Sequence, residues 1–343
     1  MDVKRGNFSK SLTSIANAAG VSVSTVSKVL NGRSDVAPET RERVGRLLRA
    51  QGYQVAPRSG IGVVDLLIGP LGSPWSDELI RGAVTAAAET GISVIVSRVA
   101  SDDECAEWLK MAAARGTTGA LSVLYLPGEA MLRRLAAAQV PLVVIDPPAE
   151  PSAHAGAGGG VRSVGTTNWQ GGLTATRHLI GLGHRRIAAI GGPDGLWSCH
   201  ARLDGYRAAL RRAGLPVDEN LVRSGELRAQ DGRRLAAELL GAADPPTAIV
   251  AGNDGQAFGV LQALGERRLR CPDDVSVTGF DDVPIAAWST PPLTTIRQPL
   301  AAMAATALWM LTRPADNVSV SPRHIELETT LVVRESTAPP GPS

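Results

Sequence analysis

Cysteine is scarce in this chain, with Cys105, Cys199 and Cys271 the only three among 343 residues. They are odd in number, widely spaced and never in a CxxC pair, which excludes a disulfide framework and a cysteine zinc site. Hydrophobic residues make up 44% of the chain, yet no apolar run reaches the roughly 18 to 20 residues that cross a bilayer, so no membrane partner is expected. The polar residues 1–10 carry Lys4, Arg5 and Lys10 and lack the apolar core of about 7 to 15 residues that a secretory signal requires. A cytoplasmic location is expected. The five histidines show no metal spacing, and His178 and His184 read as a pair at a helix end.

Catalytic signatures are missing as well. A nicotinamide-dependent oxidoreductase needs a glycine fingerprint after its first strand, and Gly69, Pro70, Leu71, Gly72, Ser73, Pro74 does not fit it. Pro193 interrupts the turn after Gly191 and Gly192. The glycine-rich stretch 151–160 has no GK[ST] after it and reads as a surface loop. No paired nucleophile and base stands out, so neither an enzyme nor a cofactor is expected. No leucine heptad for tetramer formation is present, and the proline-rich end is expected to be disordered.

What is there is unevenly distributed. The length suits a small head and a large body. Residues 1–60 hold ten Lys or Arg against four Asp or Glu, whereas the remainder holds 25 against 29. A basic head on a mildly acidic body fits a nucleic-acid-binding module, although a charge run is also compatible with a solvated face.

Local signals in the head are sharper. Ser11 is positioned to cap a helix from Leu12, with Ile15, Ala16 and Ala19 on one buried face. Gly20 supplies a sharp turn, Val21 plugs the core and Ser22 caps a second helix through Val26 and Val29 to Leu30. Small Ala16, Gly20 four residues on and apolar Val26 beyond it are the spacing of two short helices crossing closely, a helix-turn-helix. A third helix opens at Pro38 and runs through Val44, Leu47 and Leu48 to Gly52.

Residues 12–31, LTSIANAAGVSVSTVSKVLN, closely resemble the head of LacI-family repressors. The resemblance implies that Val23, Ser24 and Lys28 read base edges in the major groove, with Lys28 the candidate for a guanine. It implies that Ser22, Thr25, Asn31 and Tyr53 touch backbone phosphates. The family's leucine-bearing hinge helix is not matched: residues 54–62 are short, contain Pro57, Gly60 and Gly62, and lack leucine. Arg58 is left as a phosphate or minor-groove contact.

From Val63 short Val, Ile and Leu runs alternate with amphipathic segments, the pattern of parallel sheets wrapped by helices. Strands are expected at 63–68, 92–96, 119–124, 142–146, 186–190, 248–251 and 275–279. Helices are expected at 78–89, 107–114, 132–138, 173–180, 202–213, 233–240 and 256–264. Two sets of such units imply two lobes with a cleft between them. HLIGLGHRRIAAIGGP, ARLDGYRAAL, AGND, GFDD and PPLTTIRQP resemble the periplasmic-binding-protein-like body of the same family. The expected organisation is a helix-turn-helix domain at 11–53, a shortened hinge at 54–62 and an α/β effector-binding and dimerisation domain at 63–334. The chain is expected to cross between lobes near 165–168 and 292–298, with a disordered tail at 335–343.

Polar residues just past strand ends are the ligand candidates in such sheets, and Asp146, Asn253, Asp254 and Asp281 lie there. The resemblance assigns Arg202, Asn253, Asp281, Trp75 and Ser198 to the effector; an aromatic face with guanidinium, amide and carboxylate suits a carbohydrate. Arg202 with Asp281 also reads as a structural ion pair, Trp75 as packing and Asp254 as a helix cap. Leu196, where a purine-responsive branch has a basic residue, and Leu227, where relatives have an aromatic, turn the expectation from a purine towards a sugar. The reading is a homodimeric regulator, expected to be a repressor, on a palindromic double-stranded operator. A free-standing sugar-binding or transport protein would share the body but carry a signal sequence in place of the basic head.

Overall fold

The computed structural model describes residues 5–30, 36–51, 53, 62–69, 71–150, 161–312 and 323–341. Asn31, Gly52, most of the expected hinge with Arg58, the loop 151–160 and residues 342–343 lie outside the described residues. Two compact units divide at Val63 and Val64, apart from Thr90–Ser93, which group with the first.

The first unit holds helices α1 (Arg5–Ala19), α2 (Val23–Leu30) and α3 (Pro38–Ala50). The expected start of α1 is corrected: the helix begins at Arg5, so Ser11 lies inside it and is not its cap. Its end is written locally. Gly20 takes φ +63°, and the Val21 amide reaches back to the Ala16 carbonyl at 3.0 Å, the left-handed stop that glycine adopts without a Cβ penalty. Ile15, Ala16, Ala19, Val26, Val29, Val36, Val44 and Leu48 are buried together as the core of the head.

The second unit carries two six-stranded sheets. The first is built from β1 (Gly62–Ile68), β2 (Ile92–Ser97), β3 (Gly119–Val123), β4 (Leu142–Ile145), β5 (Arg162–Thr166) and β11 (His324–Leu327), in the order β11-β5-β4-β3-β1-β2. The second is built from β6 (Ile187–Gly191), β7 (Val222–Ser224), β8 (Ala248–Ala251), β9 (Ser276–Asp281), β10 (Thr294–Arg297) and β12 (Thr330–Val332), in the order β12-β10-β9-β8-β6-β7. Parallel pairing dominates, as in Val64↔Gly119 and Ile187↔Ala248, and β12 runs antiparallel to β10. The helices between strands are α4 (Pro74–Glu89), α5 (Asp102–Arg115), α6 (Glu129–Ala137), α7 (Asn168–Gly181), α8 (Trp197–Arg212), α9 (Ala229–Leu240) and α10 (Asp254–Glu266). A last helix, α11 (Leu300–Thr312), packs on α4 and the first sheet. Among the described residues no helix is long and apolar enough to cross a membrane.

The chain passes between sheets after β5, after β10 and again between β11 and β12. The third passage, at residues 328–329, has no counterpart in the sequence reading, because β11 and β12 are short edge strands of mixed polarity. The disordered tail expected at 335–343 is corrected too. Ser336 is fully buried; its hydroxyl donates to the Val277 carbonyl at 2.6 Å and accepts from the Thr294 amide at 2.8 Å. The Ala338 carbonyl accepts from Ser276 Oγ at 3.1 Å. Composition describes a segment that cannot build a core, and this one instead borrows a sheet that another part of the chain has built.

Helix pairs cover the second sheet at very close range. A Cβ at Gly172 on α7 would overlap the Arg202 carbonyl on α8, and one at Gly205 on α8 would overlap the Trp169 carbonyl on α7. Gly232 and Gly259 do the same for α9 and α10. Backbone cannot rotate away as a flexible side chain can, so Gly172→Ala is expected to destabilise the body by about 3 kcal/mol. Gly195→Ala, with open space around its Cβ, is expected to leave calorimetric melting unchanged. Equal melting of the two variants would refute the close packing.

Candidate functional site

In the head, two faces of α2 divide by helical spacing. Val26 and Val29 point into the core, while Ser24 and Lys28, four residues apart, are exposed on the opposite face, and Val23 is 42% exposed at the first turn. Ser22 Oγ accepts from the Thr25 amide at 3.2 Å and lies 2.8 Å from Ser24 Oγ and 2.9 Å from Thr25 Oγ1, so it is the cap of α2. Tyr53 packs half-buried against the head core. Helix α2 therefore presents a short polar ridge held at a fixed angle by its own buried face.

In the body, the polar groups gather where strands end. Asp146 follows β4 at φ +51° and Asp281 ends β9 at φ +117°, left-handed backbone that side chains rarely adopt and that clusters at functional sites. Both carboxylates are 4% exposed and Arg202, on the first half of α8, is 8% exposed. Arg202 Nε donates to Asn168 Oδ1 at 2.8 Å and Nη1 to the Gly252 carbonyl at 2.7 Å. Its guanidinium lies 3.8 Å from the Phe280 ring centre, and Nη1 is 4.0 Å from Asp281 Oδ1. Asp281 Oδ1 also accepts from Gln298 Nε2 at 2.7 Å.

The electrostatics follow from one cation among several acids. Burial pushes Asp281 up to about 7, against the lowering by Arg202 and Gln298, and Asp146 adds to the rise. Burial also raises Asp146, while Arg202 and a hydrogen bond from Ser198 oppose it. Asp254, fully buried behind them, is raised well above the usual carboxylate range by burial and then by the charge of Asp281. Its carboxylate accepts from Thr295 Oγ1 at 2.5 Å and from the Val283 amide at 2.9 Å. Near Asp282, by contrast, Arg297 and Arg334 donate at 2.6 and 2.7 Å.

Of the residues singled out in the sequence, Asp146, Ser198, Arg202 and Asp281 come together. Asn253 sits beside them with its amide already engaged: Oδ1 accepts from the Gln256 amide at 2.8 Å and Nδ2 donates to the Leu227 carbonyl at 3.3 Å. The cap of α10 is thus Asn253, not Asp254. Trp75 is half-buried in the first turn of α4, and among the described residues no hydrogen bond or ring contact joins it to the cluster. The two lobes meet directly where the Trp197 amide donates to the Pro148 carbonyl at 2.8 Å.

Asn168, Thr166 and Gln298 were not singled out, although each lies within a crossing segment the sequence indicated. Their importance comes from pairing over long sequence separations, which spacing does not reveal. Chemically, the cluster offers carboxylate acceptors and a guanidinium donor in a largely water-free setting, suited to a ligand rich in hydroxyl groups.

Comparison with known proteins agrees with both halves. A model described as bacterial regulatory proteins, lacI family, matches residues 11–55, and one described as periplasmic binding protein-like domain matches 176–337. The ribose operon repressor of Escherichia coli (strain K12) is 30% identical over 332 residues, covering 94% of this chain and 98% of that protein. Among solved structures, a transcriptional regulator CelR–cellobiose complex superposes with a TM-score of 0.71 at 32% identity, over 95% of this chain and 99% of that one. The lac repressor dimer bound to operator and the anti-inducer ONPF does so with 0.70 at 26% identity, over 95% and 98%.

Proposed function

The chain belongs to the LacI family of bacterial regulatory proteins, as a DNA-binding transcriptional regulator and not an enzyme, and from that premise we propose how its residues divide the work. Val23, Ser24 and Lys28 read base edges, and Ser22, Thr25, Asn31, Tyr53 and Arg58 hold the phosphate backbone. Trp75, Asp146, Ser198, Arg202, Asn253 and Asp281 bind a small effector between the lobes. The working division is a DNA-binding domain at 11–53, a hinge at 54–62 and an effector domain from 63. The protein acts in the cytoplasm as a homodimer, repressing from a palindromic operator, with a sugar setting operator affinity.

The observation that carries the effector reading is buried Arg202 of α8 beside two buried carboxylates at strand ends, Asp281 and Asp146. The names of two relatives, a ribose operon repressor and a cellobiose complex, support a carbohydrate. Selection of bound duplexes from random DNA at stated salt is the direct test, because phosphate contacts make affinity salt-dependent. A palindromic motif whose binding changes with an added sugar is the expected result; binding no better than to random DNA rejects the regulator model.

Lys28→Ala is expected to relax base preference at one position of each half-site by about 1–3 kcal/mol while affinity for random DNA falls much less. Uniform loss on both DNAs would make Lys28 a phosphate contact. Above pH 7, where Asp281 is ionised, Asp146 and Asp281 together face the single Arg202, so a phosphate on the ligand meets repulsion at pH 8 and less of it at pH 5. Any sugar that raises the melting temperature is expected to lose that effect as its phosphate ester, and a larger rise from the ester would contradict the charge balance.

A further inference from the structure

The groups that hold Arg202 and Asp281 form a closed path. Arg202 Nε donates to Asn168 Oδ1 at 2.8 Å, and Asn168 Nδ2 donates to the Thr166 carbonyl at 3.1 Å. Thr166 Oγ1 donates to Gln298 Oε1 at 2.8 Å, Gln298 Nε2 donates to Asp281 Oδ1 at 2.7 Å, and Asp281 Oδ1 faces Arg202 Nη1 at 4.0 Å. Each amide accepts at one end and donates at the other, so the hydrogen bonds run one way from Arg202 to Asp281, and the ion pair between those two closes the path. Thr166 and Asn168 flank the passage after β5, and Gln298 stands in the passage after β10. The third passage is fastened to the first, since Thr167 Oγ1 accepts from the Thr329 amide at 3.0 Å and the Thr167 amide donates to the Leu327 carbonyl at 3.0 Å.

We propose that Thr166, Asn168 and Gln298 are positioning residues that tie the angle between the lobes to Arg202 and Asp281 through this ring. All five members are buried, between 2% and 8% exposed. A buried polar group that loses its partner is left without water to replace it, so the ring resists any relative rotation that would separate the crossings. Among the described residues nothing takes Arg202 Nη2, which leaves that nitrogen and the second oxygen of Asp281 to a ligand. A ligand on those atoms acts on members of the ring and therefore on the crossings. Effector contact by Arg202 and Asp281 rests on the function proposed above; the ring and its hold on the lobes do not.

The test measures the lobes without any ligand. Spin labels at Lys110→Cys on α5 and Arg234→Cys on α9, both exposed sites, in a Cys271→Ser background report the inter-lobe distance in the full chain, diluted into an excess of unlabelled chain. Thr166→Val and Gln298→Met remove one and two ring bonds at nearly constant shape, and each is expected to raise the ratio of open to closed lobes by about tenfold. Thr166→Ser, which keeps the hydroxyl, is expected to match the unsubstituted chain. Distance distributions for Thr166→Val and Gln298→Met that superimpose on that of Thr166→Ser would overturn the proposal; if Gln298→Met does not fold, Thr166→Val decides alone. A shifted distribution in a chain that D-ribose and cellobiose leave unaffected would uphold the ring and count against the sugar assignment.

Discussion

Arg202→Ala is expected to abolish any effector response and to cost about 3–5 kcal/mol of stability at neutral pH, the range for breaking a buried ion pair from one side. The guanidinium is the largest influence lowering both Asp146 and Asp281. Its loss also leaves the Asn168 and Gly252 acceptors without their donor. The cost depends on pH with a definite sign. In the intact protein Asp281 titrates near 7, above the value of about 3.9 for an unfolded aspartate. The folded chain then binds more protons than the unfolded one between those values, so this group's contribution is fully present below about pH 4 and is lost as pH rises through about 7. Without Arg202 the carboxylates rise further and the window extends upward. The melting deficit of Arg202→Ala is therefore expected to be smaller at pH 5, where the lost bonds to Asn168 and Gly252 remain its main part, than at pH 8, and a deficit independent of pH would show that the guanidinium does not neutralise these acids.

Much of the head was legible because its signals are local. Gly20, Ser22 and Pro38 act within a few residues of themselves, and the apolar spacing of Ile15, Ala16, Val26 and Val29 needs no knowledge of the rest of the chain. The error at Ser11 has the same origin: a good capping residue does not act as one when the preceding residues continue the helix. In the body, runs such as Leu66, Leu67 and Ile68 read as buried strands, whereas β5, β7, β10, β11 and β12 hold few consecutive aliphatic residues. Helix α11 escaped for the opposite reason. LAAMAATALWMLT is apolar on nearly every side, so it shows no stripe, and seven of its residues are buried. In the cleft, Arg202 and Asp281 stand in recognisable motifs. Thr166 and Gln298 meet across 132 residues, and only the folded chain brings them together. At Asn253 the amide is engaged at both ends, Oδ1 by the Gln256 amide as the cap of α10 and Nδ2 by the Leu227 carbonyl, and the second of these pairings spans 26 residues that spacing does not connect.

Val26→Asp is expected to remove operator binding altogether while the body melts as before. Val26 is fully buried on α2 among the small set of apolar side chains that form the head core. A small domain has little stability to spare, and an aspartate there must either be buried without a cation or unfold its surroundings. Because the head and body are separate compact units, calorimetry should show the body transition unchanged while helical signal from the head disappears. Val26→Ala, which only opens a cavity, should weaken binding through partial unfolding and recover on cooling towards the temperature of maximum stability. Lys28→Ala provides the contrast, since its side chain is exposed and the head should remain folded while base preference relaxes. Retained operator affinity in a folded Val26→Asp head would mean that recognition does not depend on the buried face of α2, and the exposed ridge of Ser24 and Lys28 would lose its structural basis as the reading surface.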